Sequence, residues 1–283
     1  MIKVRKLPTR DIREKLTIVR KRLWEVNMCS VLKIVILKVS KDYKAIYHKH
    51  IVGSKFTKKS KLCTPNHFID LPFLRLSIIA WRGTEATTEF KEKKSKDKFD
   101  LINNLLTYLY RLNNQGKRIA KMDLNSYRYL NLFIKQLDNS NKAKEIKRKI
   151  EKLTGNLSST TTGPGLEDPV LSNFTIYKNK SCLVDLDNFS ETVNFFYEVG
   201  FLLADLKIDH QMIEIELKNL WYLYQTGNKI ISQKSDETQL TLGYISRYAI
   251  LFLNIKNNPK NNYGYDNGEA LDYIYNQLRS IPC

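Results

Sequence analysis

The stretch GLEDPVLSNFTIYKNKSCLVDLDNF, residues 165–189, decides how the rest of the chain is read. Asp168 and Asn173 stand five positions apart, and Asp185 follows Asn173 after twelve. FTIY and SCLVDL flank the turn-like YKNKS, which is the pattern of a short β-hairpin. Asn173 enters one strand and Asp185 leaves the other. An antiparallel hairpin brings its ends together. Asn173 and Asp185 are therefore expected to converge, with Asp168 just upstream on a loop. One carboxylate and one amide at a common point make a hard-oxygen donor set suited to Mg²⁺. A second carboxylate nearby can orient or deprotonate a hydroxyl. The plainer alternative is turn chemistry, since Asp and Asn favour turns and strand ends in any fold.

Outward from this stretch the chain changes texture. Thr9 reads as the N-cap of TRDIREKLTIVRKRLW, where Ile12, Leu16, Val19 and Leu23 recur at helical spacing. VLKIVILKVS and AIYHKHIVG flank KDYK and read as a β-hairpin. FIDLPFLRLSIIAWRG adds strand-like sequence interrupted by Pro72. Residues 1–83 are thus expected to form a basic, β-rich part with an N-terminal helix, and the polar residues 84–98 a connector. From residue 99 to 283 helices dominate. Leu101, Leu105, Tyr108 and Leu112 make one stripe, and SYRYLNLFIKQL and AKEIKRKIEKL carry the same period. GNLSSTTTGPG reads as a loop feeding the opening stretch. Beyond it, ETVNFFYEVGFLLADL, QMIEIELKNLWYLYQTG, TQLTLGYISRYAILFLNI and EALDYIYNQLRSI read as helices, with the aromatic runs at 195–197 and 221–224 building core.

The 283 residues are 42% hydrophobic, enough for a substantial core. The net charge of +18 is uneven: residues 1–62 hold 18 Lys and Arg against 4 Asp and Glu. A basic end on a nearly neutral body suits a polyanionic partner, whether nucleic acid, an anionic surface or a phosphorylated substrate. A solvated lysine-rich surface is the plainer alternative. The four cysteines, Cys29, Cys63, Cys182 and Cys283, show no zinc spacing and are expected to be free thiols in a reducing cytosol. MIKVRKLPTR has no apolar run of the signal-peptide kind, and no apolar run reaches membrane-spanning length. A cytoplasmic protein without a transmembrane segment is the expectation.

The pattern DxxxxN, a hairpin, and then two apolar residues before Asp185 resembles the protein-kinase-like superfamily. Within it, VDLDNF is similar to the aminoglycoside phosphotransferase and choline-kinase-like branch, or to lipopolysaccharide-kinase-like proteins. The resemblance implies a two-lobed α+β fold with a small β-rich N-lobe and a larger helical C-lobe. It implies ATP and Mg²⁺ as cofactors and a hydroxyl on a non-protein substrate as acceptor. Asp168 would be the catalytic-loop aspartate, and Asn173 and Asp185 the metal ligands. Val170 stands where protein kinases carry lysine, and helical sequence follows Asp185 almost at once, both of which favour a small-molecule branch. Lys49 in AIYHKHIVG is the choice for the strand lysine that contacts phosphate, with Lys44 as rival. Leu166 replaces the usual histidine, residues 1–49 contain no glycine, and residues 50–84 contain no glutamate. Two alternatives stay open: a catalytically inactive kinase-like binding protein, and a nucleic-acid-binding protein or RNA kinase using the basic N-terminal part.

Other residues carry weaker expectations. His48 and His50 flank Lys49 and read as surface residues. Asp187 reads as a structural hydrogen-bonding carboxylate. Glu198 and Asp205 fall on the following helix, where Glu198 either anchors the catalytic loop or joins a solvated face.

Overall fold

The computed structural model describes residues 3–6, 12–14, 17–19, 21–27, 32–39, 43–63, 67–71, 76–92, 95–157, 159–186, 188–210, 234–257 and 266–279. The expected helix QMIEIELKNLWYLYQTG and Asp187 lie outside the described residues. The chain divides into two compact units: residues 1–116, 164–167 and 171–191, and residues 117–163, 168–170 and 192–283. The hairpin of the opening stretch belongs to the first unit.

The first unit is built on a five-stranded antiparallel sheet. Its strands are β1 (Lys3–Lys6), β4 (Lys21–Asn27), β5 (Leu32–Val39), β7 (Leu76–Arg82) and β6 (His67–Leu71), in that spatial order. A separate two-stranded ladder pairs β2 (Ile12–Glu14) with β3 (Thr17–Val19), in the register Ile12↔Val19. The expected N-terminal helix is not found among the described residues: within TRDIREKLTIVRKRLW they are the strands β2 and β3 and the start of β4. Its four-residue apolar spacing also fits strands broken by a turn, and the ladders β4 makes with both β1 and β5 decide the matter.

The second correction falls on AIYHKHIVG. It is not a strand but part of helix α1 (Tyr43–Lys59). Its Ile, Val and Tyr residues give it strand propensity, which tertiary packing overrides. Among its described side chains, α1 buries His50, Gly53 and Thr57, which carry no hydrophobic periodicity. Thr57 donates from its hydroxyl to the Gly53 carbonyl at 3.1 Å, which satisfies its buried polar atom inside the helix. The helix ends in a Schellman motif: Leu62 N–H donates to Thr57 O and Lys61 N–H to Lys58 O, each at 3.0 Å, with Lys61 at φ 53°. Cys63 follows directly.

Helices α2 (Ala86–Glu92) and α3 (Ser95–Asn113) complete the unit's core. The stripe Leu101, Leu105, Tyr108 and Leu112 is buried as its spacing requires, beside Phe90 and Phe174. The expected connector contributes buried Ala86 and Phe90 to the same core.

The second unit is helical. It contains β9 (Arg118–Ala120), α4 (Arg128–Gln136), α5 (Asn141–Gly155) and the start of β10 (Thr160–Leu166). The segment GNLSSTTTGPG is thus partly strand: Thr160, Thr161 and Thr162 pair antiparallel with Ala120, Ile119 and Arg118. Helix α6 (Phe195–His210) packs on α7 (Lys234–Asn257), and α8 (Asn267–Arg279) packs on α5 and α7. Asn194 caps α6 by accepting from Phe196 N–H at 2.8 Å, while its amide donates to the Thr160 hydroxyl and Thr161 carbonyl at 2.9 Å each. The helices α6 and α7 meet at glycines. A Cβ on Gly200 would fall on the Leu240 carbonyl oxygen, and one on Gly243 on that of Tyr197. No helix among the described residues is long and apolar enough to cross a membrane.

Candidate functional site

The hairpin forms as its sequence requires. β11 (Phe174–Tyr177) pairs antiparallel with β12 (Lys180–Leu183), in the register Phe174↔Leu183 to Tyr177↔Lys180. Lys178 and Asn179 make the two-residue turn with φ of 50° and 59°. Positive φ at both central positions is the type I′ turn whose twist matches paired strands. β11 also pairs on its other side with β8 (Thr84–Glu85). Gly83, at φ 102°, admits the chain there, since a Cβ would strike the Ile176 carbonyl.

The hairpin's ends meet. Val184 N–H donates to the Asn173 carbonyl at 2.9 Å, so Asp185 follows directly on the residue bonded to Asn173. Asn173 is 8% exposed, and Asp185 is half-buried. The expected convergence of these two residues is what the backbone shows. Phe189 N–H returns to the Leu186 carbonyl at 3.0 Å, and Glu167 N–H donates to the Asn188 carbonyl at 2.9 Å. The segment carrying Asp185 is therefore tied at both ends within the first unit. Gly53 of α1 lies against it: a Cβ there would come 2.8 Å from Leu186 Cδ2 and 3.0 Å from Phe189 Cγ.

Asp168 belongs to the second unit, on a three-residue excursion between Glu167 and Leu171 of the first. Its carbonyl accepts from Val170 N–H at 2.7 Å, which tightens the turn. The Tyr129 hydroxyl on α4 lies 3.5 Å from Asp168 Oδ2, the long limit of a hydrogen bond. Nothing in the sequence singles Tyr129 out, because it reads as one more member of the apolar face of α4. Val170 is buried in the second unit's core with Tyr129, Phe133 and Phe201.

Lys49 stands on α1 and is half-buried. The strand position that motivated its choice does not exist. Lys44 lies on the same helix. His48 is exposed as expected, but His50 is buried. Glu198 and Asp205 are both buried on α6, so neither joins a solvated face. Asp205 accepts from Arg247 Nε at 2.8 Å, an ion pair with both side chains almost wholly enclosed. Phe195, Phe196 and Tyr197 are core, as read.

The cysteines carry another correction. Cys63 and Cys182 form a disulfide across 119 positions of sequence. Their sequence spacing gives no sign of it. The pair lies where the exit of α1 runs parallel to β12, in a single β-bridge.

Among the described residues, no group of three or more His, Cys, Asp or Glu side chains is placed to hold a metal. Mg²⁺ in a phosphoryl-transfer site binds one or two protein oxygen ligands and takes the rest from phosphate and water. The donor set of Asn173 and Asp185 at one hairpin mouth fits such an ion.

No protein-family model matches the sequence, and no curated protein does. Solved structures do match. An aminoglycoside 2'-phosphotransferase-IIIa in its GDP complex has a TM-score of 0.56 at 13% identity, covering 97% of this chain and 93% of that one. A GDP and kanamycin complex of APH(2'')-IIIa has a TM-score of 0.59 at 11% identity, over 97% and 94%. The choline kinase LicA from Streptococcus pneumoniae has a TM-score of 0.57 at 13% identity, over 97% and 94%. All are protein-kinase-like, and likeness over nearly the whole length at such low identity shows the fold.

Proposed function

We propose that this protein, with its protein-kinase-like α+β fold, is a phosphotransferase that moves the terminal phosphoryl group of ATP to a hydroxyl of a small non-protein substrate. The observation that carries the reading is the hairpin mouth, where Asn173 is bonded to the residue before Asp185. The solved neighbours support it, since they act on aminoglycosides or choline and two of them were solved with GDP.

Asn173 and Asp185 would hold Mg²⁺, which when bound neutralises phosphate charge. Asp168 would accept the hydrogen bond of the acceptor hydroxyl, align it, and take its proton. The resemblance asks for a lysine on the strand that enters the helix. That strand is β5, whose lysines are Lys33 and Lys38. Backbone bonds at Val184 and Phe189, and Gly53 against Leu186 and Phe189, hold the chain on either side of Asp185, so little ordering cost would fall on binding.

A second reading has its own support. Residues 1–49 contain no glycine, and α1 carries no glutamate. Both fit a scaffold that binds nucleotide without turnover. The nucleic-acid alternative rests on charge alone and draws nothing from the solved neighbours.

Transfer of label from terminal-labelled ATP, with Mg²⁺, to a panel of aminoglycosides, choline and sugar amines separates the readings. Phosphorylated product is expected with the native chain, and about 10²- to 10⁴-fold less with Asp168→Asn. Nucleotide binding with no product and no phosphate release would establish the scaffold reading instead.

A further inference from the structure

The Cys63–Cys182 bond joins two places that matter to one another. Cys63 is the residue after the Schellman motif that ends α1. Cys182 sits on β12, opposite Thr175 and three residues before Asp185. The Tyr108 hydroxyl donates to the Cys63 carbonyl at 2.9 Å, and its ring meets Phe174 edge-on with centroids 5.9 Å apart. Phe174 is in turn the cross-strand partner of Leu183. Gly53, further back on α1, lies against Leu186 and Phe189. Helix α1 and the residues that leave it thus meet the chain around Asp185 at one contact before it and another after it. The first of these is covalent.

We propose that Cys63–Cys182 is a reversible redox site that sets how firmly the hairpin carrying Asp185 is held. Cys182 is 2% exposed and Cys63 is half-buried, so attack falls on Cys63. The reductant is a dithiol. Its thiolate bonds to Cys63 Sγ, and the electron pair of the broken S–S bond leaves on Cys182 Sγ, which takes a proton. The second thiol of the reductant then displaces Cys63. The products are two cysteine thiols and one oxidised dithiol, a two-electron exchange. Without the bond, the exit of α1 and β12 keep one β-bridge and the Tyr108 contact, and the mouth at Asn173 and Val184 opens more often. The consequence for Mg²⁺–nucleotide affinity rests on the function proposed above, but the change in the hairpin does not.

The test compares the full chain prepared without reductant and after treatment with dithiothreitol and alkylation. Intact mass and thiol labelling report the bond. Amide hydrogen exchange over residues 174–186 reports the hairpin. Binding of ATP with Mg²⁺ reports the site. The expected results are two fewer reactive thiols before reduction, at least tenfold faster exchange at Val184 and its neighbours after it, and several-fold weaker nucleotide binding. Cys63→Ser should exchange like the reduced chain and ignore dithiothreitol. Four reactive thiols in unreduced protein that mild oxidation leaves unchanged, or equal exchange in both states, would overturn the proposal. Faster exchange after reduction with no nucleotide bound by either form would uphold the redox site and sink the phosphotransferase reading.

Discussion

The hairpin of the first unit and the α6–α7 pair of the second are fastened by different physics. The hairpin is short and exposes its turn, so it depends on long-range ties: a third strand from residues 84–85, the return bonds at Asn173 and Asn188, and a disulfide. The helices depend on approach. Gly200 and Gly243 let the two backbones touch, and Asp205 and Arg247 neutralise one another in the space beside them. A hairpin held by distant partners can be loosened by breaking one of them. A helix pair held by contact along its length yields only where the contact itself is spoiled.

That contrast sets the order of expected effects. Reducing Cys63–Cys182 frees a loop of 119 positions. The chain-entropy account puts the loss near 4 to 5 kcal/mol, read from urea unfolding with and without dithiothreitol. A loss below about 1 kcal/mol would mean that the bond adds little to the chain's other long-range ties. Arg247→Met removes the guanidinium paired with Asp205 and should cost about 3 kcal/mol or more, because the carboxylate stays enclosed. Combining it with Asp205→Leu should recover most of that loss, since an apolar pair of similar size suits the same space. Gly200→Ala should cost about 1 to 3 kcal/mol, as its methyl has nowhere to go but the Leu240 carbonyl. If that substitution proves neutral, close approach is not what holds α6 to α7.

The smallest effect concerns pH. The Tyr275 hydroxyl donates to Glu145 Oε2 at 2.9 Å, and this bond holds the Glu145 carboxyl below its usual range. A carboxylate lowered in the folded state adds stability above its unfolded value, and that share is lost as pH falls through the folded value. Melting temperature should therefore drop below about pH 4, with a shallower acid limb in Tyr275→Phe. Both groups are near the surface, so the difference will be small.

The same contrast explains what the sequence made legible. Apolar stripes predicted α3, α4 and α5, because each buries a face whose residues recur at helical spacing, whereas α6 is buried on every side from Phe195 to Leu206. α1 escaped because, among its described side chains, the buried ones are His50, Gly53 and Thr57, and its β-branched residues spoke for a strand. The N-terminal strands escaped because their apolar spacing fits both periods, and pairing with β1 and β5 is information held elsewhere in the chain. The meeting of Asn173 with the residue before Asp185 was legible because a two-residue turn fixes the register of its own hairpin. The place of Tyr129 beside Asp168, and the bond between Cys63 and Cys182, depend on segments far apart in sequence. No local pattern encodes them. Lys49 was misplaced because it inherited the mistaken strand.

Thermal unfolding with ATP and Mg²⁺, on the native chain and on Asp185→Asn, tests the account most directly. Ligand at about 100 times its dissociation constant stabilises a folded protein by roughly 2.7 kcal/mol. The account predicts an upward shift in the native chain that requires Mg²⁺ and disappears in Asp185→Asn, with both proteins unfolding at similar temperature when no ligand is present. An equal shift in both chains, or none in either at millimolar nucleotide, would contradict the assignment of the hairpin mouth as the metal-holding half of a phosphoryl-transfer site.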